Sequence, residues 1–375
     1  MKNRNVRTSI FSFFSGSGLL DLGFENAGYK VVFVNELSKS FLNAYQYSRE
    51  KLGHEQPLFG YHNNDINEFL NGNKDVILRA IKSSRDEHNL VGFIGGPPCP
   101  DFSIAGKNKG SEGENGKLSK AYIDLIIATQ PDYFLFENVK GLWSTARHRA
   151  YYESLKTDLQ KAGYVITDRL CNALEFGVPQ DRNRIFMIGI KPELLASGSY
   201  VDGTILNFPW ERYIRYNKNY VKSLPWQTTT NFGETSELEK ELIPELTVQY
   251  WFDRNDVKHH PNALKYFRPR SGIIKMRSVP EGDVSRKSYK RLHRFRYSPT
   301  AAYGNNEVHL HPFEERRISA AEAMALQSMP KEFALPPEMT LSNMFKTIGN
   351  GVPYLMANGI AKTLFEYLED NICKK

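Results

Sequence analysis

The chain has 375 residues, 41% of them hydrophobic and 24% charged, which suits one or two folded domains and excludes a disordered polymer. No apolar run reaches the roughly 18 residues of a membrane-spanning helix, and the basic start at Met1 to Asn5 is not followed by a long apolar signal region. The 49 Lys and Arg outnumber the 42 Asp and Glu, and a formal charge of +7 favours a polyanionic partner.

In chain order, Ser9 to Phe14 is a short apolar run ending in Ser15-Gly16-Ser17-Gly18, a strand entering a Gly-rich turn. Leu19, Leu22 and Phe24 then predict a helix that Gly28 stops. Lys30 to Val34 predicts a second strand, and Ser38 can cap a helix towards Leu52. Leu90 to Ile94 predicts a buried strand, broken by Gly95-Gly96-Pro97-Pro98. Helices are expected over Leu118 to Thr129 and over Tyr151 to Ala162, the latter closed by Gly163. Strands are expected over Tyr133 to Phe136, Tyr164 to Asp168 and Arg184 to Ile190. Alternating strands and helices with near-continuous apolar strands predict an α/β fold on a parallel sheet covered on both faces. From Lys191 to about residue 310 the rhythm breaks into a loop-rich region rich in Tyr, Trp, Arg, Pro and Asn. Helical patterning returns over Ser319 to Gln327 and Gly351 to Leu368, and Gly106 to Gly116 is the best candidate for a mobile loop.

The cysteines are Cys99, Cys171 and Cys373, with no Cys-x-x-Cys, so neither a disulfide framework nor a zinc site is expected, and the setting reads as reducing and cytoplasmic. A Gly-rich turn after the first strand lets a ligand approach backbone, and Glu36 after the second strand can hold ribose hydroxyls. A dinucleotide oxidoreductase would share both features, although the spacing is not Gly-x-Gly-x-x-Gly. In Gly95-Gly96-Pro97-Pro98-Cys99-Pro100 two prolines make a rigid turn that can present a nucleophile, whereas a lone Cys is more often a small buried hydrophobe. Glu137 in Phe136-Glu137-Asn138-Val139 ends another expected parallel strand and can share a crevice with Cys99. Arg182 and Arg184 alternate in an extended segment and so point the same way. Arg286 to Arg296 is a cationic run with interleaved aromatics and no acid, which suits phosphate contact or a solvated basic face.

Together, these pieces resemble the DNA (cytosine C5) methyltransferase family of bacterial restriction–modification systems, over most of the chain outside about 191–310. Phe14-Ser15-Gly16-x-Gly18 looks like the first cofactor motif, Glu36 matches the ribose-binding acid, and Asp65-Ile66 looks like the adenine-contacting pair. Pro98-Cys99 matches the catalytic loop, continued by Phe102-Ser103-x-Ala105-Gly106-Lys107. Glu137-Asn138-Val139 and Gln180-x-Arg182-x-Arg184 match two further motifs. Arg316 to Pro330, with Glu322, Leu326 and Gln327, looks like the ninth, and Gly349-Asn350-Gly351-Val352 like the tenth. The chain departs from the family at Pro100, where Gln is usual, at Ala321, where Arg is usual, and at Thr347, where Gln is frequent. Asp101 also puts an acid beside the thiol.

The resemblance implies a Rossmann-like, S-adenosylmethionine-dependent catalytic domain formed by 1–190 and 341–375. It implies a smaller, loop-rich target recognition domain over 191–340, variable over about 191–310. It implies Cys99 as nucleophile on cytosine C6, Glu137 on N3 and the amine, Arg184 on O2, and Arg182 in support. Cofactor contacts fall on Phe14, Ser15, Gly16, Gly18, Leu19, Glu36, Leu37, Asp65, Ile66, Pro98, Asn350, Gly351 and Val352. DNA contacts fall on Ser103, Lys107, Lys109, Arg286, Lys287, Lys290, Arg291, Arg294 and Arg296. The expected partner is double-stranded DNA, bound by a monomer that flips out the target cytosine, beside a separate restriction endonuclease. A tRNA-methylating offshoot shares the catalytic motifs, and a catalytically silent DNA-binding relative is disfavoured by the intact Cys99, Glu137 and Arg184.

Overall fold

The computed structural model describes residues 6–98, 114–235, 237–268, 273–286, 288–301, 303 and 307–372. Its strands are β1 (Thr8–Phe13), β2 (Lys30–Asn35), β3 (Tyr61–His62), β4 (Leu90–Gly95), β5 (Tyr133–Val139) and β6 (Val165–Asn172), followed by β7 (Gln180–Asp181), β8 (Asn183–Ile190), β9 (Tyr200–Val201), β10 (Thr204–Ile205) and β11 (Ser298–Pro299). Among the described residues nine of them form one sheet in the order β3-β2-β1-β4-β5-β8-β6-β10-β9, and β7 pairs with β11.

The strands are buried on both sides because their sequences are apolar at successive positions. Ile10, Val34, Ile94 and Leu135 face one layer, shared with Met356, Ala357, Ile360 and Leu364 of the helix Tyr354–Ile372. Phe11, Phe13, Phe33 and Phe93 face the other, with Ile77 of the helix Lys74–Asp86, Tyr122 and Ile126 of the helix Glu114–Thr129, and Leu155 and Leu159 of the helix Ala146–Lys161. The Phe rings touch in sequence, with Phe11–Phe33, Phe11–Phe93 and Phe13–Phe93 centroids 5.4, 5.4 and 4.9 Å apart. Such pairs add about 0.5–1.5 kcal/mol each beyond area burial.

The sheet is parallel over its first strands, as the alternation predicts, with one strand that the pattern does not foresee. β1, β2, β4 and β5 are parallel, but β8 lies antiparallel between β5 and β6. A parallel return needs a crossover of about a dozen residues or more, usually a helix. Between β6 and β8 the chain has only the short turn Ala173–Phe176 and β7, so the second strand folds back on the first. Beyond β6, a tight turn at Asp202 and Gly203, both at positive φ, folds β9 and β10 into a hairpin that extends the sheet. That sheet edge therefore continues past Lys191, where the sequence pattern stops.

The remaining described chain carries only short elements up to Ser319, including the helices Lys218–Ser223, Val248–Arg254 and Ile273–Arg277. A further core joins Trp251, Phe252, Leu292, Val308, Ile318, Leu326 and Phe345 to Leu19, Leu22 and Phe41 beside β1. Ser319 caps the helix Ala320–Leu326 through a reciprocal bond with Glu322, where helical patterning is expected over Ser319 to Gln327. The expected mobile stretch Gly106 to Gly116 lies outside the described residues except at its end, where 114–116 open a helix. No helix among the described residues is long and apolar enough to cross a membrane.

Candidate active site

The site lies along the carboxyl ends of β1, β2, β4 and β5, where a parallel sheet opens its crevice. β1 leads into Phe14, Gly16 and Gly18, all at positive φ (54°, 57° and 81°). A side chain at Gly18 would also meet Arg49 and Tyr45 at 2.7 Å, so glycine is required there on two counts. The Gly16 N–H donates to Glu36 Oε2 and the Ser38 N–H to Glu36 Oε1, both at 2.8 Å. Ser38 thus stands at the helix start as expected but makes no side-chain cap. Burial pushes the Glu36 carboxyl above its usual range, and the two backbone donors pull it back. Beside it, Leu37 is 62% exposed.

Asp65 caps the helix Ile66–Asn71 in a reciprocal arrangement with Glu68, and Asn35 at the end of β2 holds the preceding turn through the carbonyls of His62 and Asn64. The Ile66 side chain is in the core, so only its backbone faces outward ligands. Leu19 is also buried and packs on Gly351, whose Cβ would come within 2.4 Å of it. Val352 is buried and Asn350 exposed.

Pro98 is exposed at the mouth of the crevice, and Cys99 lies outside the described residues, as do Ser103, Lys107, Lys109, Lys287 and Asp101. What leads up to Cys99 is clear. Pro97 O accepts from Asn138 Nδ2 at 3.4 Å, which ties the turn to β5. A Cβ on Gly96 would sit 2.6 Å from Glu137 Oε2, so the turn crosses directly over that carboxylate.

Glu137 and Arg184 meet because β5 and β8 are antiparallel. Val139 opposes Arg184 and Glu137 opposes Phe186, which places Glu137 and Arg184 diagonally on one face. Arg184 Nε lies 2.9 Å from Glu137 Oε1, and the two side chains are 10% and 9% exposed. Burial raises the Glu137 carboxyl, while Arg184 and then Arg182 draw it down, and the net direction is up. A buried acid that keeps its proton can donate as well as accept.

Arg182 does not reach this pocket with its hydrogen bonds. Fully buried, it donates to Ala301 O at 3.0 Å, Gly349 O at 2.7 Å and Gly351 O at 3.0 Å. It is a clamp on the turn at 349–351, braced by Gln180 and Gln327. Arg182→Met would leave these carbonyls without a donor, and is expected to lower unfolding free energy by roughly 2–5 kcal/mol in urea denaturation. An unchanged midpoint would contradict the clamp.

The basic run divides. Arg286 is exposed, Lys290 and Arg296 are half-buried, and Arg296 lies over the Tyr297 ring. Arg291 is a correction to the expected phosphate contact: it is fully buried and donates to the carbonyls of Val279, His311, Glu314 and Met276. Arg294 is held by the fully buried Glu281, at 2.7 Å. Alternation along a basic stretch cannot tell a charge facing DNA from one that crosses a small core.

Sequence reasoning missed Arg49, whose guanidinium donates to Gly18 O at 2.7 Å, and the pairing of Thr347 Oγ1 with Ser17 Oγ at 2.8 Å. Its signal was faint: Arg49 is four residues from Tyr45 on a helix that otherwise reads as a cover for the sheet. The half-buried bidentate pair of Arg316 with Glu322, 2.8 Å at each oxygen, anchors the segment where Ala321 replaces the usual Arg.

Does the loop fit a nucleotide cofactor with an amino-acid tail? Ser15 Oγ is buried in the loop with no hydrogen-bond partner among the described residues, and Leu37 offers an open apolar face beside a ribose-competent carboxylate. Both fit. Among the described residues no group of three His, Cys, Asp or Glu is arranged to hold a metal ion.

Residues 8–366 match the sequence model of the C-5 cytosine-specific DNA methylase family. The chain is 55% identical to the type II methyltransferase M.NmeDI of Neisseria meningitidis serogroup C, over 99% of this chain and 86% of the relative. It is 30% identical to the type II methyltransferase M.FnuDI of Fusobacterium nucleatum, over 96% and 95% of the two chains. Among solved structures, the methyltransferase EhMeth of Entamoeba histolytica superposes with a TM-score of 0.57 at 15% identity, over 97% and 98% of the two chains. At that identity the likeness speaks for the fold.

Proposed function

The chain belongs to the C-5 cytosine-specific DNA methylase family, and on that premise we propose that it methylates C5 of one cytosine within a specific double-stranded DNA sequence, through a covalent bond between Cys99 and C6 of the base. The observation that carries this reading is the buried Glu137–Arg184 pair, set directly beneath the turn that delivers Cys99.

When bound, S-adenosylmethionine supplies an electrophilic methyl group. The residues that would hold it are the loop from Phe14 to Gly18 with the Leu19 backbone, Glu36 and Leu37, Asp65 and the Ile66 N–H, Pro98, and the turn Asn350 to Val352.

C5 of cytosine is a poor nucleophile. Addition of the Cys99 thiolate to C6 forms a C–S bond and moves the ring electrons towards N3 and C5. Glu137, protonated, donates to N3, and Arg184 donates to O2, so the charge that develops on the ring is met by fixed groups in a water-poor site. Once C5 carries the methyl group, loss of its proton restores the C5–C6 double bond and expels the Cys99 thiolate. The base reaches this pocket only by leaving the helix, at a cost of a few kcal/mol that contacts to the flipped base offset. Arg182 acts at a distance, by fixing the 349–351 turn.

Of residues 191–340, the chain past the β9–β10 hairpin forms the target recognition domain in this reading, since that hairpin extends the catalytic sheet. Arg286, Lys290 and Arg296, with Lys287, Lys107 and Lys109, serve phosphates, and the segment 191–310 reads base edges. Relatives named type II methyltransferases support a restriction–modification setting, and the reading adds a cytoplasmic monomer beside a separate endonuclease for the same site.

A bisulfite map of DNA from cells expressing the protein tests the activity. Protection of one cytosine in one recurring sequence is expected, and DNA without protected cytosines would overturn it. Exchange of 191–310 for the matching segment of a relative should move that protection to the relative's sequence. An unchanged map would place recognition elsewhere.

A further inference from the structure

We infer that Arg49 is a positioning residue for the cofactor loop, holding the Gly18 carbonyl in place so that the Phe14-to-Gly18 backbone is set for its ligand before that ligand arrives. The inference rests on the proposed use of this loop for S-adenosylmethionine.

Besides the Ser15 N–H bond to Asn35 O at 3.2 Å, three tethers reach the loop, each from a different element. Gly16 N–H is bound by Glu36 after β2, Ser17 Oγ by Thr347 on the helix Leu341–Asn350, and Gly18 O by Arg49 at 2.7 Å. Gly18 is the N-cap of the helix Leu19–Glu25, sits at φ 81° and has no side-chain cap, and its carbonyl also receives the Leu22 N–H at 3.0 Å. Two donors on one carbonyl fix the plane of the peptide at the point where the loop turns into its helix.

Arg49 is 1% exposed, and its Nε lies 2.7 Å from Glu25 Oε2. Its guanidinium packs on the Tyr45 ring at 4.3 Å, and Tyr45 donates to buried Asp21 at 3.0 Å. One planar fork thus reaches both ends of the helix Leu19–Glu25, Gly18 at its start and Glu25 at its end. Burying a guanidinium is costly, and an apolar side chain of similar volume usually serves a core as well or better. Glu25 and Asp21 compensate the buried charge, and the guanidinium Nη2 is spent on the Gly18 carbonyl. Lysine, a point charge, can keep the Glu25 contact but cannot span both partners at once.

The test titrates the full-length protein with S-adenosylhomocysteine by calorimetry. It compares wild type, R49K, R49M and, as a control, R291M, which removes a buried Arg whose hydrogen bonds go to Val279, His311, Glu314 and Met276 and not to the loop. R49M should weaken binding about tenfold or more, as expected for losing a charge-assisted bond, with kcat at saturating cofactor retained. R49K should fall between wild type and R49M. R291M should lower Tm yet bind like wild type. Amide exchange at residues 15–18, measured without ligand, should speed up in R49M and not in R291M. Wild-type affinity and wild-type exchange in R49M would overturn the inference, as would equal loss of affinity in R291M. Should R49M fail to fold, R49K decides: weakened binding at near-native Tm supports the role, and unchanged affinity refutes it. A wild-type protein that does not bind S-adenosylhomocysteine would instead overturn the function proposed above, and this inference with it.

Discussion

Cys99→Ser is expected to abolish methyl transfer while leaving S-adenosylhomocysteine binding unchanged. A serine hydroxyl in place of the thiol keeps the shape of the turn but loses the nucleophile, because an alkoxide is far less accessible than a thiolate at neutral pH. In the proposed reading the cofactor is held mainly by the Gly16-to-Gly18 loop and Glu36, and the Cys99 thiol is not among its contacts, so its affinity should not move. The same variant should still bind target DNA. Filter assays with a radiolabelled methyl donor would read transfer, and calorimetry the cofactor. Undiminished transfer would sink the covalent mechanism.

Glu137→Gln is expected to slow single-turnover transfer by roughly 100- to 10,000-fold, the range for loss of a positioned acid. The amide keeps the size of the side chain beside Arg184 but has no acidic proton for N3. The wild-type rate should fall as pH rises through the raised Glu137 pKa, because the protonated form is the competent one and burial holds that proton above the usual carboxylate range. In the Gln variant that limb should vanish, leaving the residual rate flat over the same window. A near-normal rate, or an unchanged pH profile, would remove Glu137 from the chemistry.

The α/β alternation, the Gly-rich turn, Glu36 and the two carboxylate and arginine motifs could all be read along the chain, since each is a local pattern of a few residues. The direction of β8 could not, because strand polarity depends on the length of the link from Asn172 to Asn183, and both directions bury the same apolar residues. The partnership of Glu137 with Arg184 follows from that direction. The alternation of Arg182 and Arg184 was legible, but their separate tasks were not: one meets a carboxylate and the other three backbone carbonyls contributed from far along the chain. Arg291 shows the same limit in the basic run, where a charge among charges is the tie-beam of a small core. Arg49 left only a faint signal, because little that is local distinguishes a helix-terminal arginine that faces solvent from one that faces a loop 31 residues earlier.

The central claim is the bond between Cys99 and C6, and one measurement meets it directly. Duplex DNA carrying 5-fluorocytosine at the mapped target would be incubated with the protein and S-adenosylmethionine, and the product digested for mass spectrometry. Fluorine at C5 leaves no proton to lose after methylation, so the C–S bond should persist. The account predicts a stable protein–DNA adduct, dependent on cofactor, whose modified peptide carries methylated fluorocytosine on Cys99. An adduct at another residue, or turnover of ordinary DNA with no adduct on the fluorinated strand, would contradict it.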